Sequence, residues 1–329
     1  VLLLVIMGHF STYQPDAHKI AASDYYCYKN KTERALSAAT SIKDYSFLAN
    51  MNFNLALAKA SRINDDFFNF LQISGVNALY PDVDFSAELA FVSAEFYYDL
   101  GYISEARHWA YEALVFYPYS PRALRLLLKI HLVTGEYKAA ERTLHILGKG
   151  LIHGNFLQKY YPMVLDTVLI KQDPELMQKR SYMPAAHELD PYPVNRFREL
   201  LEVNPANKRA YEYLMLYFLL DGDLDNFLEY YEIKDQYFDE PQPIYEEAIL
   251  MYDFLNDESI SQNYTISPAT QARYKKYMEY YNQYRNDERM ARNVLYHEMG
   301  TTCMFYLQFV EPRIILPEII DPEHEEPGI

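Results

Sequence analysis

An internal repeat with a spacing of 34 residues constrains the fold of this chain more than any other feature. Gly101 and Gly135 are separated by this distance, and each is followed five residues later by an alanine, Ala106 or Ala140. Each glycine lies between two helix-forming stretches, where a left-handed residue ends the first helix and glycine adopts that conformation without strain. An alanine is small enough for two helices to pass closely. The spacing therefore predicts helices that pack in pairs.

Other segments follow the same pattern more loosely. A third unit begins after Asn204–Asn207 and has Gly222 in its turn, with Phe227 where the alanine would lie. A degenerate unit comprises a helix over residues 53–60, a turn, and a second helix over residues 65–70, and a short pair precedes it. One pair cannot bury its apolar face alone, so at least three must stack. We therefore predict an all-α fold, an α-α superhelix of stacked antiparallel helix pairs with an irregular C-terminal part.

The repeat resembles the tetratricopeptide repeat, a helix pair of this length with a glycine between its helices, a small residue in the second helix and a terminal proline. Residues 87–120 match well and include Pro118, whereas residues 121–154 depart at Leu147 and Ile152, where a small residue and a proline are usual. The resemblance implies a TPR-like solenoid in which the first helix of each pair lines a concave groove. It implies groove positions at Glu88, Phe91, Glu95, Tyr98 and Asp99 in the first unit, and at Arg122, Arg125, Lys129, Leu132 and Val133 in the second.

Two interpretations compete for these groove positions. We call Glu88, Phe91, Glu95 and Tyr98 the acidic stripe, and Arg122, Arg125 and Lys129 the basic stripe. The stripes either neutralise each other as ion pairs between helices or recognise a peptide or a carboxylate. Chaperone-binding domains of the resembled family hold a C-terminal carboxylate with a Lys/Asn clamp. Phe91 and Glu95 stand where the first Lys and Asn of that clamp would be, so that ligand is not expected.

Residues 1–7, Val-Leu-Leu-Leu-Val-Ile-Met, form a solid apolar run. A membrane-spanning helix needs about 20 apolar residues, so this run cannot span a bilayer by itself. We interpret it as the last part of a transmembrane helix, with residues 1–12 as a membrane tether; a short buried strand or helix is the alternative. The flank Gly8–Asp16 contains two aromatic residues and no Lys or Arg, which favours an extracytoplasmic, periplasmic location for the rest of the chain.

The layout is similar to an uncharacterised family of bacterial inner-membrane proteins, in which a membrane-spanning N-terminal half precedes a soluble, degenerate TPR-like C-terminal half. The similarity rests on the apolar start, on Asn54–Lys59 and on Tyr211–Met215. It implies a location and an architecture, and it implies no activity.

The remaining sequence predicts how the chain is organised. Residues 13–154 hold the best repeats, and residues 155–310 are expected to continue the solenoid as degenerate helical repeats. In this second part Asp173-Pro174 and Ser267-Pro268 each predict the start of a helix, because proline is favoured in a first helical turn. Residues 311–329 are acidic and carry a proline at every fifth position from Pro312, which excludes a helix there.

No combination of residues in this sequence demands catalysis. His297-Glu298 begins like the zinc motif of metalloproteases but lacks the second histidine four residues after the first. Cys27 and Cys303 are too few for a disulfide framework or a cysteine-rich zinc site. A net charge of −16 disfavours binding to the phosphates of nucleic acids. We therefore predict no catalytic residue, no metal site and no cofactor.

These observations lead to one functional hypothesis and two alternatives. The hypothesis is a non-catalytic, membrane-tethered scaffold that binds a protein or peptide segment in its concave groove. A glycan-binding helical protein of the outer-membrane type is an alternative, because 33 tyrosines exceed what a helical core needs and exposed tyrosine suits a polar partner. The single tryptophan argues against it. The accessory domain of a membrane enzyme is the second alternative.

Overall fold

The computed structural model describes residues 15–81, 86–150, 154–185 and 190–310, and within them every regular element is a helix. The first α-helices are α1 (Pro15–Tyr28), α2 (Thr32–Thr40), α3 (Phe47–Lys59), α4 (Ile63–Asp66), α5 (Ala87–Leu100), α6 (Ile103–Phe116), α7 (Pro121–Thr134) and α8 (Tyr137–Gly148). The later ones are α9 (Gly154–Leu165), α10 (Pro174–Tyr182), α11 (Pro193–Val203), α12 (Lys208–Asp221), α13 (Leu224–Tyr231), α14 (Pro243–Asn256), α15 (Pro268–Tyr284), α16 (Glu288–Met299) and α17 (Cys303–Phe309). Short 3-10 helices cover Phe67–Asn69, Gly75–Leu79, Thr167–Gln172, Lys234–Gln236 and Ile260–Asn263.

Consecutive helices pack against each other in pairs along the chain. The pairs are α1 with α2, α5 with α6, α7 with α8, α11 with α12, and α15 with α16. Neighbouring pairs also touch, because α6 packs on α7 and α3 packs on both α1 and α2. The prediction of an all-α superhelical array of packed helix pairs is confirmed.

Three glycines end helices at the predicted turns. Gly101, Gly135 and Gly222 have φ angles of +106°, +79° and +75° and follow the last residues of α5, α7 and α12. The side chains of Ala106 and Ala140 are fully buried in the helices that follow the first two glycines. The predicted roles are therefore confirmed: the glycines cap helices in a left-handed conformation, and the alanines are buried in the helices that follow.

One continuous apolar core runs through the array from Ala39 to Tyr306. It brings the two ends of the described chain together. The ring centroids of Phe68 and Tyr306 are 5.3 Å apart, and the Tyr245 hydroxyl donates a hydrogen bond to Asn64 Oδ1 at 3.2 Å. Residues near the N-terminus thus pack directly against the C-terminal helices.

Much of the tyrosine content belongs to this core. Tyr211, Tyr213 and Tyr245 are essentially inaccessible to solvent. A buried tyrosine ring fills space while its hydroxyl needs a partner, and the Tyr211 hydroxyl donates to the carbonyl of Tyr230 at 2.9 Å. The tyrosine-rich composition is therefore explained in part by packing.

The prediction of a second helix over residues 65–70 in the degenerate unit is wrong. The chain there forms only the single turn α4 and then a 3-10 turn, Phe67–Asn69. The buried Gln72 side chain donates to the Phe67 carbonyl at 2.9 Å and accepts from the Asn50 amide at 2.8 Å. These hydrogen bonds hold Gln72 inside the core at a point where the chain is no longer helical.

The repeat is interrupted after α8. The predicted helix start at Asp173-Pro174 is confirmed, since the Asp173 carboxylate accepts from the Leu176 N–H at 3.0 Å at the start of α10. α10 packs back on α7 and α5 instead of extending the array. A Cβ at Gly101 would lie 2.5 Å from Tyr182 Cβ, so the end of α10 touches the cap of α5 directly.

Two predicted segments lie outside the described residues, namely the membrane tether (residues 1–12) and the acidic proline-rich tail (residues 311–329). In the ranges that the structure does describe, the search for a helix of sufficient length and apolar character to cross a bilayer found none.

Candidate functional site

The structure brings the acidic and basic stripes together, because α5 and α7 are neighbours in the array. Glu95 lies at the centre of the contact. Its carboxylate accepts from Lys59 Nζ at 2.6 Å and from Arg122 Nε at 2.6 Å. Arg122 Nη1 also reaches Asp24 Oδ2 at 2.7 Å. The stripes are thus joined through ion pairs that also recruit α1 and α3.

The Glu95 carboxylate is held in its charged form. Burial by itself would raise its pKa, but the charges of Lys59 and Arg122 outweigh burial and lower the pKa to about 2. The exposed fraction of the Glu95 side chain is only 11%, so little water competes for these contacts.

Aromatic rings cover the guanidinium groups of the basic stripe. The Arg122 guanidinium carbon lies 4.8 Å from the centroid of the Tyr28 ring and 5.0 Å from that of Phe91. Arg125 donates to the Tyr28 hydroxyl at 3.2 Å and lies 5.3 Å from the Phe156 ring centroid. Such cation–π contacts stabilise a cation that is shielded from water.

α10 contacts the other end of both stripes. Lys129 Nζ lies 2.8 Å from Glu175 Oε1, and the Tyr98 hydroxyl donates to the same oxygen at 3.1 Å. Of the remaining groove positions, Asp99 lies beside Lys179 of α10 and 2.8 Å from Arg209 of α12. Only Glu88 among the stripe residues is fully exposed. The chain's own helices therefore occupy most of the surface predicted to face a ligand.

Three of the ten predicted groove positions, Tyr98, Leu132 and Val133, are buried and do not face an open groove. Leu132 and Val133 are fully buried core residues near the end of α7. Their carbonyls accept hydrogen bonds from the Arg180 guanidinium of α10 at 2.7 Å and 2.9 Å. α10 thus covers the C-terminal end of α7, so this end of the helix faces the protein's own core and not an open groove.

A separate cleft of about 1210 Å³ lies between α8 and α9, and sequence reasoning missed it. Its apolar lining includes Ile146 from α8 and Tyr161 and Leu165 from α9. Leu165 is 71% exposed and Tyr161 is 52% exposed, which is unusual for side chains with so much apolar area. The departures from the repeat pattern at Leu147 and Ile152 were the sequence signals that pointed to this region.

Basic side chains predominate among the charged groups at the edge of this cleft. Arg142, His145 and Lys149 line it together with a single carboxylate, Glu141. All four are exposed. The cleft therefore combines an apolar floor with a weakly basic rim on a strongly acidic protein.

Among the described residues, no three His, Cys, Asp or Glu side chains lie close enough together to hold a metal ion. Burial raises the pKa of the Cys27 thiol to about 12 and also raises that of Cys303. A thiol that stays protonated is a poor nucleophile.

The fold and this cleft define a helical-repeat protein with an open edge. The chain belongs to the family of unknown function DUF6057, whose pattern matches residues 2–310. Comparison with curated proteins gave no match, and comparison with solved structures gave none.

Proposed function

We propose that this protein is a non-catalytic, membrane-tethered scaffold that holds a segment of a partner protein. The observation that carries the proposal is the apolar cleft between α8 and α9. It lies where the repeat is interrupted, and Ile146, Tyr161 and Leu165 remain exposed there, although Leu144 and Tyr160 of the same two helices are buried. An uncovered edge of a helical array is a natural place for a helix from another protein to dock.

The ion-paired stripes support the cleft as the binding surface. A carboxylate ligand at Arg122 would have to displace Glu95 or Asp24 from it. Displacing Glu95, whose side chain is only 11% exposed, would break one of its two ion pairs, and a peptide contact would have to compensate for that loss. Binding in the cleft has no such cost.

We propose that the bound segment is an amphipathic helix with an apolar face and acidic flanks. The apolar face would cover Ile146, Tyr161 and Leu165, and acidic flanks would complement Arg142 and Lys149 on the rim. Rim charges of this kind mainly set the association rate and the choice of partner.

Tethering to a membrane is the second part of the proposal. It is supported by the apolar run of residues 1–7 and by the aromatic residues that follow it. In this view, the soluble array presents its cleft to a partner near the same membrane.

A photo-crosslinking amino acid at Leu165 tests the scaffold. We expect one discrete crosslinked partner from position 165 and none from position 119, where Tyr119 is even more exposed but lies outside the cleft. Synthetic peptides that tile the identified partner should then include one that binds the purified protein, measured by fluorescence anisotropy.

The matched variants are Tyr161→Glu in the cleft and Tyr119→Glu as a control. Tyr161→Glu should weaken binding of that peptide at least tenfold, because it places a charge on the apolar floor, and Tyr119→Glu should not change it. Equal crosslinking at both positions, or equal affinity of both variants, would remove the cleft from the proposal.

A further inference from the structure

Three segments that are far apart in sequence meet at one surface of the molecule. The loop between α2 and α3, the segment that follows α4, and the end of α16 together line a cavity of about 450 Å³. We call the surface around this cavity the end face, and define it by residues 39–45, 68–73 and 296–301.

The end face carries large apolar side chains that are partly exposed. Tyr45 is 40% exposed, Leu71 is 37% exposed and Tyr296 is 52% exposed, one from each of the three segments. Lys43 is exposed at the same cavity. Tyr296 and Lys43 each combine an apolar body with a polar tip, which suits the boundary between lipid and water. The Tyr45 hydroxyl instead contacts Asn50 Oδ1 at 2.9 Å and Ser74 Oγ at 2.6 Å, so this residue offers only part of its ring.

The first helix begins beside this face. Asp16, in the first turn of α1, accepts a hydrogen bond from the Lys43 backbone N–H at 3.2 Å. Lys19 Nζ donates to the Ser41 carbonyl at 2.5 Å. Residues 1–14 therefore join the described structure at the edge of the end face.

The apolar run is covalently close to this point. Residues 8–14 separate it from α1, and a chain of that length spans at most about 25 Å. A membrane that held residues 1–7 would thus lie within a short distance of the end face.

We propose that the end face rests on a lipid bilayer, with Tyr45, Leu71 and Tyr296 at the level of the lipid headgroups. This inference rests on the proposed membrane tether and adds an orientation to it. The cleft between α8 and α9 is not part of the end face, so it stays open to a partner while the protein is bound.

The experiment uses the full chain with a single environment-sensitive fluorophore on an introduced cysteine. The variants are Leu71→Cys and Tyr296→Cys on the end face, and Tyr119→Cys as the exposed control. Cys27 and Cys303 are buried and should not react in the folded protein. Phosphatidylcholine vesicles that carry brominated acyl chains then quench any label within the bilayer boundary, and flotation measures binding separately.

We expect the chain to float with the vesicles, with strong quenching at positions 71 and 296 and little at position 119. Substitution Leu71→Ser should weaken vesicle binding about threefold, because a side chain that is about a third exposed transfers about a third of its area to lipid. Tyr119→Ser should leave binding unchanged.

Each other outcome overturns a different part of the reasoning. Failure to float refutes the tether and, with it, this orientation. Flotation with equal or absent quenching at the three positions refutes the orientation alone. Labels at positions 71 and 296 that are already shielded from aqueous iodide without vesicles would mean that residues 1–14 or a second copy cover the end face, which also refutes it.

Discussion

Replacement of Gly101 by alanine tests whether α10 truly closes over the array. Gly101 has a φ of +106°, and an alanine there would place its Cβ 2.5 Å from Tyr182 Cβ. Gly222 offers a matched control, because it ends α12 with a φ of +75° and a Cβ at that position would meet no other side chain or backbone within 4 Å. The two substitutions thus share a backbone cost and differ in the steric contact.

The expected magnitudes follow from these two terms. A left-handed conformation costs an alanine about 1–2 kcal/mol, which is the whole effect expected for Gly222→Ala. Gly101→Ala adds an overpacking cost of about 1–3 kcal/mol, since two backbones with no flexible side chain between them must move apart. We therefore expect the free energy of unfolding to fall by about 2–5 kcal/mol, measured by urea denaturation.

The larger φ at Gly101 could account for part of this difference, so a double-mutant cycle separates the terms. Tyr182→Gly removes the opposing Cβ. In that background Gly101→Ala should lower the free energy of unfolding only by the cost of its left-handed backbone. A coupling energy near zero, with equal losses for Gly101→Ala and Gly222→Ala, would refute the contact between α10 and the cap of α5.

Three further predictions concern buried ionisable groups. Glu95→Gln removes the carboxylate that Lys59 and Arg122 share and should lower the free energy of unfolding by about 3–5 kcal/mol, measured in urea. Glu88→Gln, at an exposed position, should change it by less than about 0.5 kcal/mol. Equal effects of the two substitutions would contradict the ion-pair geometry. Burial raises the pKa of Glu247 from 4.5 to about 7. Between these pH values the folded protein keeps a proton that the unfolded chain releases. The free energy of unfolding should therefore fall by about 3 kcal/mol as the pH rises through this interval. Glu247→Gln should abolish that part of the pH dependence in denaturation curves, and an unchanged profile would contradict it. The thiols of Cys27 and Cys303 should react with Ellman's reagent only after unfolding, and rapid reaction of the native protein would contradict their burial.

The local features of the fold could be predicted because they depend on short stretches of sequence. Gly101 and Gly135 mark left-handed caps, and Ser267 caps α15 by accepting from the Thr270 N–H. The departure of α10 from the array could not be predicted in this way. It depends on contacts such as that between Lys179 and Asp99, which are 80 residues apart and follow no period.

The candidate site was predictable to a similar extent. The resemblance to the repeat family led us to place Glu95 and Arg122 on adjacent stripes, and the two side chains do meet. It could not identify Asp24 and Lys59 as their other partners, because these come from helices of the less regular units. The apolar pattern of α9 also does not reveal that Leu165 is exposed. A leucine that faces the core and one that faces an open cleft have the same spacing.

The contact between Phe68 and Tyr306 has a consequence for how the protein unfolds. An open helical array loses its terminal units one at a time, since each unit touches only its neighbours. Here the two regions pack against each other, so unfolding of one also exposes apolar residues of the other to water. Removal of α17 should therefore expose the first units as well, and shortened versions of the protein should fail together rather than shed helices in sequence.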